Sequence, residues 1–137
     1  MFVLDTNVAI AIAIGDKRGE FYKEAVQNED RVISSEFMLA ESIHVIRKYV
    51  LRDEIEVGDA DKWLTTIKSL VDDFYPVKAD IREALHESIR LNHSPYDLFF
   101  FILARRFGAC MLSFDQALVD LCFKEGLSTC TDIPFPA

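Results

Sequence analysis

The sequence is short of basic residues, of paired cysteines and of long apolar runs. Its 15 lysines and arginines are outnumbered by 23 acids, and the formal charge of −8 gives no global basic field that would attract nucleic acid. Its three cysteines, Cys110, Cys122 and Cys130, form no CxxC pair, which favours reduced, buried thiols. The apolar run 8–14 is too short to span a bilayer and has no basic residue before it. We therefore expect a cytoplasmic protein without a membrane segment.

Short apolar runs alternate with helix-like segments along the whole chain. We predict strands at 1–4, 31–34, 74–77, 109–113 and 127–133. We predict helices at 8–14, 19–27, 36–51, 59–73, 78–91 and 116–125, with one more between Ser94 and Gly108. This alternation is typical of a parallel sheet with helices on both faces. No linker or repeat interrupts the chain, and 137 residues predict a single domain, 1–137.

The helix that follows Ser94 is apolar on every side beyond its first turn. Ser94 suits the N-cap, Pro95 suits the first helical position, and Asp97 places an acid in the first turn. A helix that is apolar all round is a buried one. We therefore expect Asp97 to lie at the start of the most buried helix in the chain.

The fifth predicted helix is amphipathic. Ile81, Leu85 and Ile89 recur at helical spacing, and we expect them to point inward. Glu83 and His86 lie on the opposite side and are expected to face water. This orientation argues against a di-iron site built on Glu-x-x-His pairs, whose ligands must point into a helix bundle.

Four acids fall where predicted strands end or predicted helices begin. Asp5 and Asp115 each end a strand, Asp97 opens the apolar helix, and Glu41 lies in the second turn of the helix predicted at 36–51. Such positions meet at one edge of an open α/β sheet. Clustered carboxylates disfavour one another's ionisation, and hard cations such as Mg²⁺ or Mn²⁺ relieve that repulsion. Bound ions can activate water and stabilise the leaving oxygen of a phosphodiester.

The order and spacing of these acids resemble a known family, the PIN-domain ribonucleases, and most of all the VapC-type toxins of prokaryotic toxin–antitoxin pairs. The resemblance extends over the whole chain. It rests on Val3-Leu4-Asp5-Thr6-Asn7, Leu39-Ala40-Glu41, Tyr96-Asp97 and Leu112-Ser113-Phe114-Asp115. The chain departs from the family in the bulky residues 98–101 and in Ser113, where the family more commonly has Thr.

The resemblance implies both a fold and an activity. The fold is a three-layer PIN-like α/β domain with a central parallel sheet of about five short strands. The activity is RNA cleavage that depends on Mg²⁺ or Mn²⁺, with Asp5, Glu41, Asp97 and Asp115 as catalytic and metal-binding acids. Thr6, Asn7 and Ser113 are then expected to support the site through hydrogen bonds. Homodimers and an antitoxin partner are also implied, and the apolar share of 50% agrees with a covered surface.

Two positively charged stretches have alternative interpretations. Glu41, Lys48 and Arg52 project in nearly one line, so Lys48 and Arg52 are candidate RNA contacts that would guide a phosphate backbone away from the acids. Ordinary surface charge explains the same residues. Arg105 and Arg106 either extend this track or favour the C-terminal end of their helix through its dipole.

Other functions remain open from the sequence alone. Asp5, Asp97 and Asp115 each suit a turn or helix cap, so each has a purely structural interpretation. A PIN-like module that binds RNA or a partner without cleavage, and a PIN nuclease of RNA processing or quality control, are alternatives to a toxin. A dehalogenase-like phosphatase would need a second acid where Asn7 stands.

Overall fold

The computed structural model describes residues 1–129, in which short strands alternate with helices. The strands are β1 (Phe2–Leu4), β2 (Val32–Ser35), β3 (Asp73–Tyr75) and β4 (Cys110–Leu112). The helices are α1 (Thr6–Ile14), α2 (Lys17–Asn28), α3 (Phe37–Leu51), α4 (Val57–Ser69), α5 (Val77–Leu91), α6 (Pro95–Phe107) and α7 (Gln116–Lys124). None of the helices in this part of the chain is both long and apolar enough to cross a membrane.

The four strands form one parallel sheet in the order β3-β2-β1-β4. The predicted α/β class with a central parallel sheet is confirmed, and four strands are close to the expected five or so. Of the strand predicted at 127–133, the described part contributes only an isolated bridge between Thr129 and Met111. Residues 130–133 lie outside the described part.

The order of the strands places helices on both faces of the sheet. The chain moves outward from β1 to β2 and β3, then returns through α5 and α6 to β4 on the other side of β1. Because parallel crossovers are right-handed, this reversal puts α5 and α6 on the face opposite the earlier helices. In agreement, α6 packs against β1, β2 and β4, whereas α1 packs against α2, α3 and α4. The reversal leaves a crevice at the carboxyl ends of β1 and β4, where α/β proteins commonly bind ligands.

Helix α6 is the centre of the core, as its sequence predicts. Every residue from 98 to 104 is buried, and Phe100 and Phe101 are among the largest side chains with almost no exposure. Burial of one such side chain contributes about 2 kcal/mol to stability. At the start of α6, the Ser94 hydroxyl accepts a hydrogen bond from the Tyr96 N–H. At its other end, Gly108 caps the helix with a φ of 60°, which suits a residue without a side chain. The apolar body thereby holds the first turn of α6 in place.

The prediction that Ile81, Leu85 and Ile89 of α5 point inward is wrong. These side chains are 52%, 54% and 70% exposed, whereas Asp80 and Ala84 are buried. Helical spacing identifies a stripe, but it does not decide which stripe faces the protein. Here the stripe that faces the protein is the one that carries acids.

Ion pairs with α6 explain this orientation of α5. The carboxylate of Asp80, which is 1% exposed, accepts a hydrogen bond from Arg106 at 2.7 Å. Arg105 binds Glu83 and Glu87, each at 2.8 Å. The expectation that Glu83 only faces water is therefore also wrong. Asp80 can stay buried and charged in this orientation because Arg106 pairs with it.

Candidate active site

Asp5 is the most enclosed of the four predicted acids. It directly follows β1 and forms the N-cap of α1, and it is only 5% exposed. Its carboxylate accepts hydrogen bonds from the Ser113 hydroxyl at 2.6 Å, the Thr6 N–H at 2.7 Å and the Asn7 side-chain amide at 3.2 Å. Three polar residues from two chain segments therefore fix its orientation.

Thr6 joins Asp5 to Glu41 across the crevice. While its N–H binds Asp5, its hydroxyl donates to Oε1 of Glu41 at 2.7 Å. Glu41 lies on α3, so this contact links the carboxyl end of β1 to the helix that follows β2. Glu41 is half-buried at this position. The solvated charged face considered from the sequence does not describe it.

Asp115 lies at the carboxyl end of β4, where Ser113 and Asn7 organise the turn into α7. The Asp115 N–H donates to the Ser113 hydroxyl at 3.0 Å, and the Asn7 side-chain oxygen accepts the Phe114 N–H at 3.1 Å. The Asp115 carboxylate itself accepts the Ala117 N–H at 3.0 Å, as an N-cap does. Thr6, Asn7 and Ser113 thus all form hydrogen bonds with the acids or with the turn that carries Asp115, and capping accounts for one oxygen of Asp115.

Asp97 comes from the opposite face of the sheet, at the first turn of α6. Its Oδ2 lies 2.9 Å from Nε2 of His93, four residues earlier. The ring of Tyr96 stacks on that of Phe37 with the centroids 5.3 Å apart, which joins the first turns of α6 and α3. The contact between His93 and Asp97 was not predicted. Its only sequence signal is the spacing of four residues across a helix start, which is too common to be specific.

One cavity of about 340 Å³ brings the four acids together with Thr6 and Asn7. It is lined by Asp5, Thr6, Asn7, Ile10, Glu41, Val45, Asp97 and Asp115. All four predicted acids are in this set, although they come from four separate segments. Ile10 of α1 and Val45 of α3, which the motifs do not include, form its apolar lining.

The electrostatics of the cavity reflect both burial and crowding of carboxylates. The pKa of Asp5 is raised from 3.8 to about 6, mainly by burial and to a smaller extent by the charges of Glu41 and Asp97. The hydrogen bonds from Ser113 and Thr6 oppose this rise. Burial, with the charge of Asp97, likewise raises the pKa of Glu41. The charge of Asp97 therefore disfavours the ionised forms of both Asp5 and Glu41, and the charge of Glu41 also disfavours ionised Asp5.

The donor set fits a hard divalent cation. Four carboxylates face one cavity, and their mutual repulsion is what a cation would relieve. Within residues 1–129, no group of three or more His, Cys, Asp or Glu side chains is arranged to hold an ion directly. Mg²⁺ usually takes only one or two carboxylates and keeps several waters. A cavity that has room for water and displays separated carboxylates suits that mode of binding.

The positively charged candidates separate into two groups. Lys48 and Arg52 are exposed on α3, on the same side of the helix as the cavity-lining Glu41 and Val45. Arg105 and Arg106 instead bind the acids of α5. Their charges therefore serve the packing of α5 on α6.

Comparison with known proteins agrees with this geometry. The family model described as "PIN domain" matches residues 2–124, nearly the whole chain. The chain belongs to the PIN domain family. No curated protein matches its sequence.

A solved structure shares the fold of this PIN domain. The crystal structure of PAE2754 from Pyrobaculum aerophilum superposes with a TM-score of 0.69 at 15% sequence identity. The match covers 87% of this chain and 84% of that chain. PIN domains are generally nucleases, usually metal-dependent, and PIN nucleases act on RNA. The fold and family of this chain are thus those of a nuclease.

The raised pKa of Asp5 predicts a pH-dependent stability in the metal-free protein. The folded state holds a proton on Asp5 up to about pH 6, whereas the unfolded chain loses it near 3.8. The tighter binding of this proton in the folded state contributes to the free energy of unfolding. That contribution is fully present below about pH 4 and is lost as the pH rises through 6. A rise of this size corresponds to about 3 kcal/mol. We therefore expect the free energy of unfolding of Asp5→Asn, measured relative to that of wild type, to rise by about 1–3 kcal/mol when the pH is raised from 4 to 7.5.

Denaturant unfolding in EDTA at the two pH values would measure this change. Asp61→Asn, at an exposed acid on α4, is the control and should show no such change between the two pH values. If the free energies of unfolding of Asp5→Asn and wild type differ by the same amount at both pH values, the burial of an ionised Asp5 is contradicted.

Proposed function

We propose that this PIN domain is an endoribonuclease that hydrolyses RNA phosphodiester bonds with Mg²⁺ or Mn²⁺. Asp5, Glu41, Asp97 and Asp115 are the proposed catalytic and metal-binding residues. The observation that supports this most directly is the convergence of these four acids on one cavity. Single caps or turns would not require acids from four segments to share a site.

The side chains around the acids have a defined part in this proposal. A bound ion would polarise the scissile phosphate, activate water and stabilise the leaving oxygen. The chain's own residues hold the carboxylates in place beforehand. Ser113, Asn7 and the Thr6 N–H fix Asp5, and the Thr6 hydroxyl fixes Glu41. Such fixed donors reduce the rearrangement needed when an ion and a phosphate arrive.

The alternative from another class is a PIN-like module that binds RNA or a partner without cleaving RNA. The electrostatics favour the enzyme. A binding surface for RNA has no need of buried carboxylates, which repel phosphate and whose burial and charged neighbours raise the pKa of Asp5 and Glu41. RNA that is retained under saturating metal without turnover would favour the binding module.

Two biological settings differ in their partners, and we propose the toxin of a cytoplasmic toxin–antitoxin pair over a nuclease of RNA processing. This choice rests on the likeness of the motifs around Asp5, Glu41, Asp97 and Asp115 to those of VapC-type toxins. A genomic neighbour whose product binds this chain and stops its cleavage of RNA would support it. RNA cleavage that is insensitive to that product would favour the processing nuclease.

We further propose that Lys48 and Arg52 carry the RNA backbone away from the cavity. Glu41, Val45, Lys48 and Arg52 follow one another at spacings of three or four residues along α3, so they form one continuous stripe. Glu41 and Val45 line the cavity, and the side chains of Lys48 and Arg52 extend the stripe beyond it. This local basic surface would offset the chain's overall negative charge for a bound strand.

A homodimer is proposed for the exposed side of α5. Ile81, Leu85 and Ile89 form an aliphatic stripe one side chain wide, and a second copy could cover it with the same stripe in antiparallel orientation. The acids of α5 point toward α6, so they would not repel each other across this contact.

The metal-dependent activity is tested with purified protein and a fluorescently labelled RNA. We expect cleavage with Mn²⁺ or Mg²⁺ that stops with EDTA, and Asp5→Asn and Asp97→Asn should each lower kcat by about 100-fold or more. Loss of a ligand should exceed the 10–100-fold typical for the groups that support one. Asp61→Asn is the matched control and should cleave like wild type. Equal cleavage by the Asp5→Asn, Asp97→Asn double variant would refute the assignment.

The RNA track is tested by binding in catalytically inactive Asp97→Asn protein. We expect Lys48→Ala and Arg52→Ala each to weaken RNA binding and to lower the slope of log affinity against log salt by about 0.7. Lys62→Ala removes an exposed lysine from α4 and should change neither quantity. Unchanged salt slopes in both stripe variants would place the RNA elsewhere.

The dimer is tested by light scattering at micromolar concentration. Wild type should have twice the mass of the chain, and Leu85→Asp should shift it to a monomer. Val57→Asp changes another exposed apolar residue, 68% exposed on α4, and should leave the dimer intact. A monomeric wild type would remove the proposal.

A further inference from the structure

His93 is not part of the family motif around Asp97, yet it contacts that acid directly. Its Nε2 lies 2.9 Å from Oδ2 of Asp97, and both side chains are more than two-thirds buried, at 17% and 28% exposure. Asp97 is the only one of the four acids contributed by the α6 side of the sheet. No residue of the Asp5, Thr6 and Ser113 network is bonded to it within the described part of the chain.

Backbone hydrogen bonds at the end of α5 fix the main chain around His93. Asn92 ends α5 with a φ of 49°, in the left-handed region. The N–H groups of Asn92 and His93 both donate to the Ser88 carbonyl, the second at 3.1 Å. This paired closure of a helix end determines the direction in which the chain leaves α5. The imidazole is thereby aimed across the short connection toward the first turn of α6.

The two helices that flank this connection are also joined to each other. Asp80 binds Arg106, and Glu83 and Glu87 bind Arg105, so the last turn of α6 is tied to α5, and the two helices pack against each other. Asp80 is almost completely buried in this contact. The connection from Asn92 to Ser94 therefore links two elements with little freedom to move apart. A hydrogen bond made across it is correspondingly rigid.

We propose that His93 is the positioning residue for Asp97, donating its Nε2–H to Oδ2 so that the other oxygen of the carboxylate faces the metal site. His93 then does for Asp97 what Thr6 does for Glu41 and what Ser113 does for Asp5. The inference rests on the proposed metal-dependent function. Carboxylates that bind metals are commonly held by such hydrogen bonds, and loss of the partner costs about 10–100-fold in metal affinity or activity.

Three variants distinguish the effect of the hydrogen bond from the effect of the size of the His93 side chain. His93→Leu keeps a side chain of similar size without a donor, and His93→Gln keeps an N–H donor near the position of Nε2. His86→Leu removes an exposed histidine from α5 and serves as the control. Thermal unfolding without metal shows that each variant is folded, and calorimetric titration with Mn²⁺ in the absence of RNA measures metal affinity.

We expect His93→Leu to bind Mn²⁺ about 10–100-fold more weakly than wild type. His93→Gln should recover most of that loss, and His86→Leu should bind like wild type. In RNA cleavage at subsaturating Mn²⁺, His93→Leu should lose kcat while KM for RNA stays the same, because His93 does not contact the substrate in this proposal. Wild-type Mn²⁺ affinity in His93→Leu, or equal losses in His93→Leu and His93→Gln, would overturn the inference.

An NMR measurement on the wild-type protein tests the same hydrogen bond without a substitution. Nitrogen chemical shifts of the His93 ring in the metal-free protein should show the proton on Nε2. A neutral ring with its proton only on Nδ1 would overturn the proposal, because such a ring cannot donate to Asp97. A wild-type protein that neither binds Mn²⁺ nor cleaves RNA would refute the proposed function and this inference together. Normal binding and cleavage with an unaffected His93→Leu would refute only this inference.

Discussion

The repulsion among carboxylates in one cavity is the constraint on which the arrangement of this domain depends. Asp5 is almost completely buried, and its pKa rises to about 6 because burial and the charges of Glu41 and Asp97 oppose its ionisation. Left alone, such side chains would separate or become protonated. They stay together because they are attached to different elements of the fold and because hydrogen bonds to neighbouring polar groups hold them. Destabilisation of this kind is expected where binding of a cation is the purpose of a site.

The two faces of the sheet contribute to this constraint in different ways. On one face, Thr6 connects the end of β1 to α3 through its N–H and its hydroxyl, so Asp5 and Glu41 are positioned as a pair. On the other face, α6 presents Asp97 from the first turn of a helix whose body is fixed in the core. The stacked rings of Tyr96 and Phe37 join the two helix starts across the sheet edge. At Asp5, the residue that caps α1 is also the acid at the cavity, so the capping geometry also fixes the direction of this carboxylate.

Helix α5 shows how ion pairs can override a hydropathy pattern. Its aliphatic stripe is exposed, and its acids face α6, where they pair with Arg105 and Arg106. Periodicity predicts that α5 is a helix and which residues share a side. It does not predict which side is covered, since that depends on the charges of a helix that α5 meets only in the folded protein. The same reasoning applies to Glu41, whose neighbour Thr6 is 35 residues away in the chain.

The sequence by itself determined the local structure of this protein and the chemistry of its candidate site. Capping residues, glycine stops and apolar periods predicted the α/β class, the parallel sheet and the buried α6, because each follows from interactions within a few residues. The motifs around Asp5, Glu41, Asp97 and Asp115 indicated the acids in order. The topology of a parallel sheet led us to expect that they meet at one edge, and in the structure they line one cavity. Only the tertiary structure decided that α5 turns its acids inward and that His93 contacts Asp97. Those outcomes depend on which surfaces meet across the sheet, and a local pattern contains no information about its distant partner.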